Sequence, residues 1–309
     1  MGLKNKIKTS PSLKLVYAIC RDIKMLGMRT ESDRHYINRK FQRMLGYKPD
    51  IDHPKTFQEK LQWIKLNDRK PVYHEMVDKV SAKKFIIDKL GDENLCIPTL
   101  GVYNRFEDID FETLPNEFIL KCTHDSGSYC ICADKKVFDK KKAKERLLVN
   151  FKYNYYYFSR EWPYNGLQHR IIAEPLLHDG TGPYLRDYKF YTFNGEPKFF
   201  YTTSDRENKD GVREDFFDIE GNLLDINQLG YYNNPITPAL PQNLEKMVEM
   251  ARVLAKDTYH LRVDFYEVNG KVYVGEMTFF DGGGFVAFDP EKYNRILGDW
   301  INLPIDNNK

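Results

Sequence analysis

The sequence lacks a strong excess of charge of one sign. Lys and Arg number 47 and Asp and Glu number 45, so the net charge of this 309-residue chain is only +2. This balance disfavours a protein that binds nucleic acid through a strong basic field, because such binding needs clustered positive charge. It leaves room for a local basic groove that binds a phosphorylated ligand.

Cysteine is scarce, and its spacing fits neither a disulfide framework nor a zinc site. The chain has five cysteines, an odd number, at scattered positions. Two of them alternate within one strand-like run, and no second pair completes a zinc set. We expect buried, reduced thiols, as in a cytosolic protein. The five residues are Cys20, Cys96, Cys122, Cys130 and Cys132.

No signal peptide or membrane-spanning run is evident, because charged residues interrupt the apolar stretch between Leu13 and Met28. The apolar residues of that stretch still follow a helical period, and lysines precede them. Residues 1–33 therefore fit a helix packed on its own domain, which we favour, or a peripheral membrane contact. The expected location is the cytoplasm, with the inner face of the membrane as the alternative.

The first half of the chain predicts mainly helices. Residues 34–90 are mostly helical in pattern, and Thr56 with Glu59 has the spacing of a capping box. Residues 73–91 predict one periodic helix that ends at a glycine. Residues 139–158 predict another long and highly charged helix.

From Ile171 onward, strand-like runs dominate. Hairpin turns are predicted at Asn194-Gly195, at Glu220-Gly221 and at Asn269-Gly270. No internal repeat or low-complexity tract interrupts the pattern. The order of a helix-rich part, a mixed part and antiparallel hairpins indicates an α+β fold whose lobes share a cleft.

The most apolar hairpin, LRVDFYEVNGKVYVGEMTFFDGGGF at residues 261–285, carries two acids, Asp264 and Glu276. Two ionised carboxylates about 4 Å apart repel by roughly 4 kcal/mol at an effective dielectric near 20. Magnesium on a phosphate would neutralise them. An ideal two-residue turn, however, places them on opposite faces of the sheet. A shared metal therefore needs a bulge or an extra loop residue, and otherwise the two acids are unrelated.

The segment FILKCTHDSGSYCIC, residues 118–132, suggests an anion site. Lys121 ends one strand-like run, and the turn at residues 125–128 contains Ser and Gly, which let backbone N–H groups approach an anion. It is not a Walker loop, because no Gly-Lys-Ser/Thr opens a helix. A simple hairpin turn explains the same residues.

Two further charged segments have an ordinary explanation. Asp78 and Lys79 fall inside a predicted helix, with Lys83 one turn on, and this is typical of a solvated basic face. The strand end at residues 174–177 and the acid and bases at residues 186–189 could hold a purine and a ribose. An edge strand with a salt bridge explains them equally well.

Six stretches occur in a distinctive order: TFQEKLQWIKLNDRKP, DKVSAKKFI, LPNEFILKCTHDSGS, DYKFYTFNGEPK, LRVDFYEVNGKVYVGEMTF and LGDWINLP. From about Pro54 to Pro304 this order resembles the ATP-grasp enzymes. The finer features resemble the TupA-like branch, which is associated with teichuronopeptide and surface-polysaccharide synthesis. The resemblance implies an ATP-grasp fold, in which two α+β lobes enclose the nucleotide beside a helical N-terminal region.

The resemblance also implies a division of the chain and a set of site residues. The divisions are 1–53 (helical), 54–115 (N-terminal lobe), 116–178 (nucleotide-clamping lobe) and 179–309 (metal-binding lobe). Arg262 and Lys189 would be catalytic. Asp264, Glu276 and Thr278 would hold Mg²⁺, with Thr278 standing where many ATP-grasp enzymes have Asn. ATP would contact Lys79, Lys121, Ser126, Gly127, Ser128, Glu174, Leu176, Leu177 and Asp187.

Two groups beside these residues have open interpretations. Glycines 282–284 would let backbone amides face an acceptor, and Asp281 is a substrate contact or only a turn residue. Aromatic side chains between residues 153 and 162 could stack on sugar rings, although we favour a place in the core. They are Tyr153, Tyr155, Tyr156, Tyr157 and Trp162.

The function implied by the resemblance is an ADP-forming carboxylate–amine ligase. It would attach an amino acid or amine to a carboxylate of a surface polysaccharide, such as a capsule, or of its precursor, using ATP and Mg²⁺ and no nucleic acid. Alternatives are a kinase of a glycan hydroxyl, a non-catalytic nucleotide-binding subunit and a metal-dependent glycosyltransferase. The last is suggested by the Asp-x-Asp triplets at residues 50–52 and 108–110.

Overall fold

A computed structural model of the chain describes residues 22, 25–180, 182, 185–204 and 212–305. The described N-terminal part is helical. The capping box is confirmed: the Thr56 hydroxyl accepts from the Glu59 N–H at 3.3 Å, and the Glu59 carboxylate accepts from the Thr56 N–H at 3.0 Å. After residues 25–30, the helices are α1 (Asp33–Leu45), α2 (Phe57–Asn67), α3 (Val72–Val77) and α4 (Ser81–Leu90).

The prediction of one helix over residues 73–91 is wrong, because the chain leaves the helix between α3 and α4. Asp78 is extended, and its carboxylate accepts from the N–H groups of Val80 and Ser81 at 3.1 and 3.0 Å. This acceptor satisfies free donors at the start of α4, so the two helices are separate. The end at Gly91 is confirmed, since Gly91 has left-handed dihedral angles.

A four-stranded antiparallel sheet follows the helices. Its strands are β1 (Gly101–Tyr103), β2 (Phe118–Cys122), β3 (Tyr129–Cys132) and β4 (Ile171–Pro175), in the order β1-β4-β2-β3. The predicted helix over residues 139–158 is shorter: α5 (Lys140–Phe151) ends early, and only α6 (Tyr156–Ser159) resumes it. Leu147 of α5 is fully buried in the same core as Phe118 and Leu120.

The second, five-stranded sheet carries the hairpin with the two acids. Its strands are β5 (Asp187–Phe193), β6 (Glu196–Ser204), β7 (Arg213–Asp218), β9 (His260–Val268) and β10 (Lys271–Thr278), in the order β10-β9-β5-β6-β7. Strands β8 (Asn227–Gln228) and β11 (Phe288–Asp289) pair separately, and helices α7 (Leu244–Leu254) and α8 (Lys292–Asp299) complete the chain.

The antiparallel sheets and their helices confirm the α+β class. Two predicted hairpin turns are formed as expected, since Asn194-Gly195 and Asn269-Gly270 both have positive φ at each residue. One large core joins α2, α3 and α4 to the five-stranded sheet, and a smaller one fills the space under the four-stranded sheet. A cleft therefore lies between two sheets with separate cores.

Four cysteines lie where the sequence predicts. Cys96, Cys122, Cys130 and Cys132 are buried and free, whereas Cys20 lies outside the described residues. Of the predicted aromatic core residues, Tyr153 and Tyr156 are 5 and 6% exposed, and the others are partly buried.

The predicted N-terminal membrane contact falls mainly on residues 1–21, 23 and 24, which lie outside the described part of the chain. Met25 and Met28 are buried against Tyr36 and Tyr153. No helix among the described residues is both long and apolar enough to cross a membrane.

Candidate active site

A β-bulge at Gly275 brings the two hairpin acids together. The turn pairs Lys271 with Val268, and this register continues to Val274 opposite Phe265. The register then shifts by one residue, so that Glu276 lies opposite Asp264. The two carboxylates thus share one face of the sheet, as the metal hypothesis required.

The bulge residue is a glycine for a steric reason. A Cβ at Gly275 would lie 2.5 Å from the Tyr266 ring on the neighbouring strand. Without a side chain, the extra residue fits beneath this ring, and the strand continues in the new phase. Val272 and Val274 are buried before the bulge, and Met277 is buried after it.

Two cations offset the charge of Asp264. Lys189 on β5 donates to it at 2.7 Å, and the Arg262 guanidinium makes two bonds to it at 2.7 and 2.8 Å. Burial alone would raise the pKa of Asp264, but the positive charges of Arg262 and Lys189 hold it below its usual value. Asp264 is therefore ionised and fixed in place.

Glu276 is the contrasting member of the pair. It is partly exposed, and among the described residues no hydrogen bond or ion pair engages its side chain. It lines two neighbouring cavities, one of about 320 Å³ and one of about 250 Å³. A carboxylate between two cavities is placed to contact a ligand in either of them.

The larger cavity is lined by both charged and apolar side chains. Glu174 lines it, is buried, and pairs with Lys121 at 2.7 Å and with Lys83 at 2.5 Å. Burial alone would raise the pKa of Glu174, and the two lysines lower it below its usual value. The apolar wall contains Met76, Val77, Ile86, Ile97, Ile119 and Met277.

Lys79 lines the larger cavity because the chain leaves the helix just before it, between α3 and α4. Its ammonium donates to the carbonyl of Asp125 at 2.5 Å, and its N–H donates to the carbonyl of Thr123 at 3.2 Å. The loop that it contacts includes Gly127, which has a φ of 91° and open space where a Cβ would be. The lysine and the Ser/Gly loop are thus one structural unit.

The smaller cavity begins beyond Glu276 and contains Arg262. Asp281 accepts hydrogen bonds from Arg262, from Tyr191 and, at 2.6 Å, from Gln228. Burial opposes ionisation of Asp281, but the guanidinium and these donors lower its pKa to about 2. Asp281 therefore helps to hold Arg262 in position, and it is more than a turn residue.

All the predicted site residues line one of the two cavities. Ser126, Arg262 and Thr278 line the smaller one, and Glu276 lines both. The larger cavity collects Lys79, Lys121, Gly127, Ser128, Glu174, Leu176, Leu177, Asp187, Lys189 and Asp264.

Sequence reasoning missed Lys83, which pairs with Glu174 instead of facing solvent. It also missed two buried charges beside the smaller cavity, Lys65 and Glu161. Only long-range packing brings these two together, so local sequence patterns carry no signal for them. The helix break, by contrast, had a signal in Asp78, which has the residue type of an N-cap.

The oxygens of Asp264, Glu276 and Thr278 are of the type that Mg²⁺ prefers. The described residues contain no group of three or more His, Cys, Asp or Glu that could hold a metal. Two carboxylates fit an ion that keeps waters and binds phosphate oxygens, which is the usual state of protein-bound Mg²⁺. The donor set is therefore compatible with magnesium bound together with a nucleotide.

A family model described as "TupA-like ATPgrasp" matches residues 59–302, which is most of the chain. The chain belongs to the TupA-like ATP-grasp family. The antiparallel sheets and the cleft between them are its ATP-grasp fold. A comparison with curated proteins finds no match.

Solved structures similar to this family member are ATP-grasp ligases. D-alanine–D-alanine ligase from Bacillus anthracis, complexed with ATP, is 15% identical over 66% of this chain and 55% of that chain, with a TM-score of 0.38. D-alanyl-alanine synthetase A from Vibrio cholerae is 12% identical over 75% of this chain and 62% of its own, with a TM-score of 0.42. The ligase PsnB, with Mg and ADP, is 13% identical over 79% and 66%, with a TM-score of 0.42. The chain thus spans between about half and two thirds of the length of these proteins.

Proposed function

We propose that this protein is an ADP-forming carboxylate–amine ligase that works through an acyl phosphate. The observation that carries the proposal is the bulge-paired Asp264 and Glu276 at the junction of two cavities. One cavity has the mixed apolar and cationic lining that a nucleotide needs, and the other is mainly polar. The family assignment supports the same chemistry.

In this proposal ATP occupies the larger cavity. Adenine lies against the apolar wall and the backbone near residues 174–177, and Asp187 contacts the ribose. Lys79 and Lys121 contact the phosphates, and the loop at residues 126–128 closes over them. Cations and backbone N–H groups suit this role because phosphate oxygens carry concentrated negative charge.

Asp264, Glu276 and Thr278 would hold Mg²⁺. When bound, the ion would neutralise phosphate charge and so let a second anion approach the nucleotide. Side chains of the protein supply further positive charge. Arg262 and Lys189, both on the face of Asp264, stabilise negative charge that develops on the transferred phosphoryl group.

The reaction has two balanced steps. First, an oxygen of the substrate carboxylate bonds to the γ-phosphorus of ATP, the bond from that phosphorus to the β,γ-bridging oxygen breaks, and ADP leaves. Next, the nitrogen of an amine bonds to the acyl carbon, phosphate leaves with the electron pair of the broken carbon–oxygen bond, and the amine loses a proton. Orientation and charge stabilisation suffice, so no nucleophilic Ser or Cys is needed.

We propose a carboxylate of a surface polysaccharide or its precursor as the acceptor, and an amino acid or other amine as the donor. This assignment is supported by the TupA-like family alone. It places the enzyme in capsule or cell-envelope synthesis, in the cytoplasm or at the inner face of the membrane. The division of the chain at residues 53, 115 and 178 is part of the same proposal.

The Asp-x-Asp triplets that suggested a glycosyltransferase lie away from the two cavities. Asp52 makes an exposed ion pair with Arg34 at 2.6 Å, and Asp108 makes one with Arg105 at 2.6 Å. Neither triplet lines either of the two cavities. Surface ion pairs of this kind explain both triplets without a sugar nucleotide.

The test is a screen of uronic acids and other carboxylates against amino acids and amines, with ADP and phosphate release as the measured quantities. We expect release only when a carboxylate and an amine are both present. ADP release with a neutral glycan and no amine would instead support a kinase. Binding of a sugar nucleotide in preference to ATP would contradict the ligase.

A further inference from the structure

The smaller cavity contains an acid that the proposed reaction has not used. Glu161 lines this cavity and is only 5% exposed. The Ser159 hydroxyl donates to it, and among the described residues no Lys, Arg or His nitrogen lies within 4.0 Å of its carboxylate. A buried carboxylate with a single hydroxyl partner is costly unless something else offsets its charge.

The buried cation Lys65 has no ammonium hydrogen left for Glu161. Lys65 is fully buried, and its three ammonium hydrogens have acceptors in Gln62 at 2.9 Å, the Ser159 carbonyl at 2.9 Å and the Gly283 carbonyl. Lys65 therefore attracts Glu161 only through space. Burial accordingly lowers the pKa of Lys65 to about 7 and raises that of Glu161.

The two cations that line the cavity are also engaged. Arg262 is bonded to Asp264 and Asp281, and Lys40 donates to the Phe158 carbonyl at 2.8 Å. Acceptor positions of Glu161 thus remain for a molecule inside the cavity. A molecule with hydrogen-bond donors and positive charge would complement this carboxylate.

An organic cation fits this position. The acids Glu161, Glu276 and Asp281 all line the cavity. An ammonium group needs only one carboxylate and two or three acceptors. Tyr155 and Tyr164 also line the cavity, and aromatic rings attract organic cations.

We infer that Glu161 forms an amine subsite, in which its carboxylate binds the ammonium group of the amine-bearing substrate. This inference rests on the proposed ligase function and names the residue that selects the donor. Gly283 lies next to this carboxylate, since a Cβ there would lie 3.6 Å from a Glu161 oxygen. The amine would enter next to Arg262 and Glu276, where the acyl phosphate is expected.

The test measures binding to the full-length protein saturated with Mg²⁺ and the non-hydrolysable analogue AMPPNP. Calorimetry compares amino acids of both hands with the same acids lacking the amino group, such as alanine with propionate and glutamate with glutarate. We expect at least one amino compound to bind about 10-fold tighter than its partner. Glu161→Gln should weaken it by about 10- to 100-fold, the range of a hydrogen bond to a charged group.

Two variants control the experiment. Glu245→Gln removes an exposed acid of α7 and should bind the amine like wild type. Glu161→Asp keeps the charge on a shorter side chain and should retain part of the affinity. Affinity of Glu161→Gln for Mg·AMPPNP within about twofold of wild type establishes that this variant is folded; otherwise Glu161→Asp carries the comparison.

Three results overturn the inference: no amino compound binds the wild type, the deaminated partners bind equally well, or the Glu161 variants bind the amine like wild type. Failure of the ligase proposal has another signature. It would be absent binding of Mg·AMPPNP, or absent ADP release with every carboxylate and amine in the screen. If ADP release requires an amine but does not depend on Glu161, the subsite inference is wrong and the ligase proposal stands.

Discussion

At the scale of single residues, the two members of the acid pair have different surroundings. Asp264 is buried and bonded to Arg262 and Lys189, whereas Glu276 is partly exposed and free of ion pairs within the described chain. Asp264 thus organises the cations, and in the proposed function Glu276 would supply the open coordinating oxygen. The loss of Glu276 should therefore affect chemistry more than stability.

Glu276→Gln tests this difference. We expect ADP release to fall by at least about 100-fold, because an amide is a poor ligand for Mg²⁺ and leaves the phosphate charge uncompensated. The midpoint of thermal unfolding should stay within a few degrees, since no ion pair is broken. Both quantities are measured on the same preparation.

Glu220→Gln, at an exposed turn, is the matched control and should turn over like wild type. Wild-type rates in Glu276→Gln would show that the metal assignment is wrong. A large fall in the unfolding midpoint would show instead that Glu276 has a structural role.

At the scale of secondary structure, the bulge at Gly275 decides which side chains of β10 face the core and which face the cavities. Before it, Val272 and Val274 face the core; after it, Met277 does, so that Glu276 turns towards the cavities. The apolar residues change phase at this point in the sequence itself. That change was a usable signal, although alternation alone cannot separate a bulge from a strand end.

Gly275→Ala should weaken Mg·AMPPNP binding by about 10-fold, measured by calorimetry. The added methyl group would meet the Tyr266 ring at 2.5 Å, and relief of such a clash typically costs 1–3 kcal/mol through shifted neighbours. The neighbour most affected is Glu276, the next residue along the strand.

Two variants identify the cause. Tyr266→Leu added to Gly275→Ala removes the clashing ring atoms and should restore part of the lost affinity relative to Tyr266→Leu alone. Gly27→Ala, at a glycine with open space around it and no positive φ, should bind nucleotide normally. Unchanged affinity in Gly275→Ala would mean that the bulge does not control Glu276.

At the scale of the whole molecule, the sequence predicted local features better than the long-range contacts around the site residues. Hairpin turns at Asn194 and Asn269 and the capping box at Thr56 depend on neighbouring residues, and all three are present. The pairing of Lys83 with Glu174 depends on packing between residues 91 positions apart. Such contacts follow from the fold and leave no local pattern.

Protonation of a buried histidine should make global stability depend on pH. His260 shares a hydrogen bond of 2.8 Å with the Thr192 carbonyl, and its other ring nitrogen is buried and has no partner among the described residues. Burial lowers its pKa from 6.5 to about 4. As pH falls below about 6.5 the unfolded chain binds this proton first, so stability should fall by about 3 kcal/mol and level off near pH 4.

His260→Phe separates this contribution, because the ring lies among Phe57, Tyr191 and Phe193. Thermal unfolding between pH 4 and 8 should show a shallower loss of stability in the variant. Some loss should persist, since burial also lowers the pKa of His124, to about 3. Equal slopes in variant and wild type would contradict the assignment to His260.

The shared wall at Glu276 has a consequence for how the proposed activity can diversify. Glu276 lines both cavities, Met277 lines the larger one and Thr278 the smaller one, so we expect changes there to alter nucleotide binding at the same time. Between residues 155 and 164, the side chains that line only the smaller of the two cavities are Tyr155, Phe158, Ser159, Glu161 and Tyr164. Natural relatives and laboratory libraries should therefore acquire new donor preferences through this second stretch, while the hairpin end stays invariant.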